Sequence, residues 1–491
     1  MEQASEQPSL KLRTARTLKW NTIDKVSSQV LYAVTGIVLA NVLPREDFGL
    51  VGAVMIFQAF AILFVDSGFG AALLQKKEPE EKDYSTVFWF NLVMSCGVYV
   101  VLFFCAPLIA RLFHNDLRLI PLSRVMFISF IICALGIVQT NRLMKRMDVR
   151  QVAVGNVVGL VVSGVVGIWL ALSGAGAWAL VWQSITLYTV KTGWLWVTQR
   201  WLPGFVFSWQ SLKSIWRVGA GVFTSSFFNT LFQYIYSFVI GAFYALASLG
   251  DYTQADKWSK MGSASLSQIL TSSFIPLLAK YQDDRGQYHA MMTKINGFTA
   301  FLTFPAMLAP VVMATPLFHL LFGTKWDSAI ILFQVLMIRG IFVVLIAVGN
   351  NYLLSLGKAR KLVVVEVVKD MSTVIAILAT VFMQSVPALV WGQLAASAFT
   401  YLFVLWLVCR DTSMKPSVFF ASQWRYPLLA MVAVAAMWAV SFVPVAAWLL
   451  LVIEFAVGAI VYFGILRLLR DKYLYQGAAY AFGRFKRDKT V

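Results

Sequence analysis

The sequence predicts an all-α polytopic membrane protein of about 14 transmembrane helices, arranged as two pseudo-symmetric six-helix lobes plus two C-terminal helices. Three observations lead there. Of the 491 residues, 59% are hydrophobic and only 13% are charged. Soluble domains carry ~25% charge, so soluble domains of this total length would be short of charge to cover their surfaces. The apolar residues also gather into fourteen long runs separated by short spacers, and a bilayer-spanning helix uses ~20 mostly apolar residues. Lysine and arginine, finally, are abundant in every second spacer and sparse in the ones between, as loops on opposite sides of a membrane are.

The runs fall at 20–43, 48–74, 84–110, 120–141, 151–172, 175–198, 215–245, 252–279, 291–323, 328–356, 362–384, 387–408, 427–444 and 447–468. The first follows a polar, basic segment with no short apolar core, so no signal peptide is expected at residues 1–19. Runs longer than ~25 residues, beginning with the second, should tilt or include an interfacial turn. After the sixth and twelfth runs, the aromatic segments 201–212 and 416–426 are expected to form short amphipathic helices at the cytoplasmic interface. The thirteenth and fourteenth runs stand outside the repeat described below.

The net charge of +18 would suggest nucleic acid in a soluble protein. Here it marks orientation instead. With the amino terminus inside, thirty of the 41 lysines and arginines lie in inside segments, the tail residues Arg484, Lys486, Arg487 and Lys489 among them. Five, Arg45, Arg111, Arg118, Arg124 and Lys325, lie outside. Both termini are therefore placed in the cytoplasm, and no nucleic-acid partner is expected.

The chain also matches itself at an offset slightly above 200. Phe48-Gly49 corresponds to Leu249-Gly250, and Ser67-Gly68-Phe69 to Ser272-Ser273-Phe274. Asn141 and Arg150 correspond to Asn351 and Arg360, and Pro203-Gly204-Phe205 to Pro416-Ser417-Val418. Four matches in order, at equivalent places, predict an N-lobe over 1–200, an interfacial linker over 201–214 and a C-lobe over 215–410. Residues 411–491 then hold a second interfacial segment, two helices and the basic tail. An even number of helices per lobe inserts both in one orientation, the arrangement of transporters that rock one repeat against the other.

Six basic residues lie within the runs: Lys25, Lys191, Lys257, Lys260, Arg339 and Lys369. Charge at the bilayer centre costs at least ~2.5–3.5 kcal/mol per residue, so each should face a cavity or a partner, and all six are candidates for holding an anionic substrate, although Lys257 and Lys260, near the start of the eighth run, could equally snorkel to the interface. Arg339 is the most central, with no acid within a turn. Asn21, Lys25, Ser28, Tyr32 and Thr35 share one face of the first helix. Ser225, Asn229, Gln233 and Tyr236 share one face of the seventh, its repeat partner. These stripes are either interhelical hydrogen-bonding sets or the polar lining of a cavity that suits sugars. The embedded acids Asp24, Asp66, Glu366 and Asp370 are candidates for ion coupling. Glu366, Lys369 and Asp370 could equally satisfy one another, and Asp66 beside Ser67-Gly68 could equally be a structural cap. Glu454 reads as structural or lipid-facing.

No phosphate loop, H-E-x-x-H or G-x-S-x-G motif occurs, nor any outside loop large enough for an acid–base pair. Cys96, Cys105, Cys133 and Cys409 sit in apolar runs without a pairing pattern, and His114, His289 and His319 are scattered. No catalytic residue, metal or cofactor is expected, and the chain is not expected to be an enzyme.

Phe48-Gly49-Leu50-Val51-Gly52-Ala53, Asp66-Ser67-Gly68-Phe69-Gly70-Ala71-Ala72-Leu73-Leu74-Gln75-Lys76 and Asn141-Arg142-Leu143 resemble the Wzx-type lipopolysaccharide and polysaccharide flippases. The branch near colanic acid exporters is the most similar. These belong to the multidrug/oligosaccharidyl-lipid/polysaccharide exporter superfamily. The resemblance implies a bacterial inner-membrane flippase that carries an undecaprenyl-pyrophosphate-linked oligosaccharide to the outer leaflet by alternating access. It implies a cation-lined cavity, coupling to H+ or Na+, contact with membrane lipids and cooperation with polysaccharide polymerase machinery. A multidrug or cation exporter of the same fold is the alternative. A membrane glycosyltransferase or polymerase is a more distant one.

Overall fold

The computed structural model describes residues 10–282 and 284–481, which are helices and turns with no strand among them. Contacts divide the chain after Thr253 into two compact units. The first holds α1 (Leu10–Val42), α2 (Arg45–Asp66), α3 (Phe69–Gln75), α4 (Glu81–Leu112), α5 (Leu119–Met126), α6 (Ile128–Lys145), α7 (Val149–Leu172), α8 (Ala177–Gln199) and α9 (Trp209–Phe243), and the start of α10 (Leu246–Ala279). The second holds the rest of α10, α11 (Arg285–Phe322), α12 (Asp327–Ser355), α13 (Ala359–Thr380), α14 (Val386–Thr412), α15 (Pro416–Ala421), α16 (Arg425–Val440), α17 (Ala447–Leu468) and α18 (Lys472–Ala481). The division falls inside α10 because α9 packs on α2, α3 and α4 in the first unit. The tail residues 482–491 lie outside the described residues.

Ten segments are long and apolar enough to cross a bilayer among the described residues. Four more helices, α8, α9, α10 and α13, have 23, 35, 34 and 22 residues and fall where spans were expected. Polar side chains dilute them, and they are the helices that carry Lys191, Ser225, Asn229, Gln233, Lys257, Lys260, Glu366, Lys369 and Asp370. The second apolar run does contain a turn. Ser67 and Gly68, at φ 47° and 72°, separate α2 from α3. Gly68 also approaches so closely that a Cβ would lie 2.3 Å from the Gly219 carbonyl oxygen. Only glycine meets both demands.

Segment 201–208 differs from expectation. It is not a short amphipathic helix but an irregular strap, with α9 beginning at Trp209. Its backbone groups are satisfied by α4 instead of by a helical ladder: Ser85 Oγ accepts from Gly204 N at 3.0 Å, Thr86 Oγ1 accepts from Ser208 N at 3.0 Å, and Trp89 Nε1 donates to the Gly204 carbonyl at 2.9 Å. Trp89 and Phe205 stack at 5.3 Å. In the corresponding segment after α14, Pro416 starts the six-residue helix α15, in line with expectation and with the preference for proline in a first helical turn.

Within the first unit, α7 packs against α1 and α8 through glycines. A Cβ on Gly155, Gly159, Gly164 or Gly167 would meet Trp194, Leu187, Thr35 or Gln183 at 3.2 Å or less, the close approach that membrane helices use in place of a hydrophobic drive. At the start of α2 and α10 the contact is tighter and reciprocal. A Cβ on Gly49 would lie 1.9 Å from the Leu246 oxygen, and one on Gly250 would lie 2.1 Å from the Arg45 oxygen. Positions 45 and 49 map onto 246 and 250 at the same offset of 201 that relates the two sequence stretches. Residue i touching j′ while i′ touches j is what a two-fold relation between these helix starts produces. Arg45 ties the crossing to Asp251 at 3.0 Å.

In the second unit, α10, α11, α12 and α14 share a core that includes Leu270, Met292, Val348, Tyr352 and Val404. Aromatic residues join α16, α17 and α18 to α11, through Phe301, Tyr426, Tyr462 and Tyr473. Glu454 on α17 is fully buried, which corrects the lipid-facing expectation. Neither of its carboxyl oxygens has a hydrogen-bond partner among the described residues.

Candidate functional site

The six embedded cations separate by whether the fold has already matched them. Lys260 pairs with Asp256 at 2.6 Å, one turn away on α10, and Lys369 pairs with Glu366 on α13. Arg339, midway along α12, meets no acid but donates from Nε to Ser397 Oγ on α14 at 3.0 Å. Lys257 sits 5.4 Å from the Trp258 ring centroid. Among the described residues Lys25, Lys191 and Lys257 have no ion pair. Intramembrane cations left this way need water or an anion.

The polar stripes divide in a similar manner. On α1, Ser28 and Thr35 face α7. Asn156 Nδ2 donates to Ser28 Oγ at 3.0 Å and to Asp24 Oδ1 at 2.9 Å, and Thr35 packs on Gly164. Ser28 also donates to Asp24 at 3.3 Å. Asn21, Lys25 and Tyr32 are exposed. On α9, Ser225, Asn229 and Gln233 are exposed, while Tyr236 is buried. Exposed polar side chains on a membrane helix are best accommodated where they meet water or a polar group.

The acids occupy three environments. Asp24 is held by Ser28 and Asn156, as above. Asp66 Oδ1 accepts from Gly70 N at 3.2 Å, so it caps the first turn of α3. Asp370 keeps Oδ1 enclosed and without a partner among the described residues, two residues from the Ser372–Thr400 contact at 3.2 Å that joins α13 to α14.

Sequence reasoning missed a second polar centre in the first unit. Arg142 is 6% exposed and grips Glu81 with two bonds, 2.8 and 2.9 Å. Its guanidinium lies between Tyr84 and Trp201, at 5.0 and 4.6 Å from their ring centroids. Trp201 Nε1 donates to the same Glu81 at 2.8 Å, so the strap, α4 and α6 are fastened at one point. Nothing in the spacing of the basic residues distinguishes Arg142 from Lys145 or Arg146. The Asn156 contribution could have been found, because it is an amide in an otherwise apolar run.

Comparison with known proteins now becomes informative. Residues 38–331, more than half of the chain, match the polysaccharide biosynthesis protein family. The chain is 25% identical over 418 residues to the teichuronic acid biosynthesis protein TuaB of Bacillus subtilis (strain 168), covering 84% of this chain and 86% of that one. It is 27% identical over 361 residues to the lipopolysaccharide biosynthesis protein WzxC of Escherichia coli (strain K12), covering 72% and 71%. Its fold is similar to that of the lipid II flippase MurJ in an inward closed conformation, with TM-score 0.74 and 14% identity over 92% of this chain and 98% of that one. An inward-facing multidrug resistance MATE transporter of the MOP superfamily is similar with TM-score 0.59 and 16% identity, over 78% and 94%. Family and apolar helices agree: this chain belongs to the polysaccharide biosynthesis protein family, as a multi-pass membrane protein.

Proposed function

We propose that the protein flips an undecaprenyl-pyrophosphate-linked oligosaccharide from the cytoplasmic to the outer leaflet of the inner membrane, for export of a cell-surface polysaccharide. The observation that carries this reading is the set of unmatched cations and exposed polar residues inside membrane-depth helices. A pyrophosphate needs basic partners in a low-dielectric setting, and a glycan needs hydroxyl partners. Lys25 and Lys191 in the first unit, and separately Lys257 and the Ser397-bonded Arg339 in the second, are such basic groups. Asn21, Tyr32, Ser225, Asn229 and Gln233 supply the glycan's partners. The names of relatives point the same way: WzxC is a lipopolysaccharide biosynthesis protein, and MurJ is a lipid II flippase.

In this reading α8, α9, α10 and α13 complete fourteen spans, both termini are cytoplasmic, and the two lobes alternate access by rocking. Transport is coupled to H+ or Na+ through embedded acids, of which Asp370 keeps Oδ1 without a partner among the described residues, whereas Asp66 is bonded to Gly70 and Glu366 to Lys369. A polymerase receives the product.

Deletion of the gene followed by analysis of lipid-linked sugars tests the proposal. Glycan-loaded carrier should accumulate on the inner leaflet, with loss of surface polysaccharide. Normal polysaccharide together with increased drug sensitivity would instead indicate the exporter of cationic drugs.

A further inference from the structure

We infer that the first unit contains a built subsite for the sugar ring attached to the pyrophosphate, formed by Tyr32 and Tyr188 beside Lys191. This rests on the flippase reading and names the part of the substrate that these helices recognise.

The register of the helices places the groups. Asn156 bonds to Ser28, and Thr35 packs on Gly164, so α1 and α7 run in one direction with residue 28 level with 156 and 35 with 164. A Cβ on Gly159 would lie 3.6 Å from Lys191 Cβ, and one on Gly167 would lie 3.1 Å from Gln183 Cβ. Helix α8 therefore runs the opposite way, which brings Tyr188 to the depth of Tyr32. Both α1 and α8 pack on α7, α1 at Asn156 and Gly164 and α8 at Gly159 and Gly167, so Tyr32 and Tyr188 stand at one depth on neighbouring helices. Tyr32 is 45% exposed and Tyr188 is half-buried. Neither hydroxyl bonds to another described residue.

The chemistry fits a pyranose. Its C–H face packs on aromatic rings, while hydroxyls need donors and acceptors at the ring edge. The two free tyrosine hydroxyls provide these. Lys191 follows Tyr188 by three residues on the same face of α8 and has no ion pair among the described residues. Three residues rise ~4.5 Å along a helix, which is close to the step from a pyrophosphate to the ring it carries. Cation and aromatic platform are thus spaced for adjacent parts of one ligand.

The test uses the full-length protein in detergent with three probes: farnesyl pyrophosphate, and the same molecule carrying one glucose or one galactose. The wild type should bind at least one hexosyl probe about tenfold more tightly than the bare one. Tyr188→Leu should remove that preference while leaving affinity for the bare probe unchanged, which also shows that the variant is folded. Tyr188→Phe should keep most of the preference. Lys191→Met should weaken all three probes alike. Equal loss for bare and hexosyl probes in Tyr188→Leu would overturn the sugar assignment. So would an unchanged preference in Tyr188→Leu and Tyr32→Leu, or a wild type without preference. A wild type that binds none of the probes would overturn the flippase reading, and this inference with it.

Discussion

Arg142 belongs by sequence to a basic spacer, yet its side chain is buried, doubly bonded to Glu81 and covered by Trp201. Replacing it with alanine removes two charge-assisted bonds and the packing of a long side chain between two rings. Arg142→Ala should lower stability by about 2 kcal/mol, with Arg142→Lys intermediate because an ammonium cannot make the paired contact. Thermal unfolding in detergent measures this, and an unchanged midpoint for the alanine variant would remove the clasp from the stability of the first unit. At this scale the sequence was a partial guide. Embedded charges such as Arg339 stood out because their cost in a bilayer is large wherever they point. Whether a partner lies within reach depends on which helix is adjacent, and so the amide Asn156 stood out in its apolar run while its bond to Asp24 and the burial of Glu454 did not. Lys260 and Lys369 did have their acids at helical spacing, and those pairings were legible.

Helices were the most legible elements, because a span is set by length and apolarity alone. The irregular strap was not legible. Its aromatic composition suits an interfacial helix, but Trp89, Ser85 and Thr86 on α4 offer its backbone better partners than its own carbonyls would. The glycine crossing was half legible: the repeat paired Phe48-Gly49 with Leu249-Gly250, and the structure adds that the two pairs touch. Gly49→Val or Gly250→Val would force a Cβ to within 1.9 or 2.1 Å of a carbonyl oxygen, with no flexible side chain to yield. Each should therefore abolish both folded yield and polysaccharide export. Gly97→Ala, where nothing lies within 4 Å, should change neither. Full yield and export from Gly49→Val would show that the helices do not meet as described. The measurement is fluorescence size-exclusion chromatography alongside surface polysaccharide.

For the whole molecule, the basic excess resolves into many residues in the spacers and a few at membrane depth, and the fold sorts those few further. Cations without an acid should matter more to transport than those already neutralised. Lys191→Met, Lys257→Met and Arg339→Ala should each reduce export about tenfold or more at unchanged protein level. Lys260→Met and Lys369→Met should retain most of it, with Arg339→Lys in between. Equal effects across both groups, read as surface polysaccharide per unit of protein, would separate ion pairing from function. The most direct measurement is translocation by the purified protein in sealed vesicles containing the undecaprenyl-pyrophosphate-linked oligosaccharide of the source organism. Glycan accessibility to an external lectin is followed before and after an ion gradient is imposed. The gradient should speed transfer between leaflets in vesicles holding the wild type and not in those holding Arg339→Ala. Equal transfer in empty vesicles and in vesicles with active, folded protein would contradict the assignment of this chain as a lipid-linked oligosaccharide flippase.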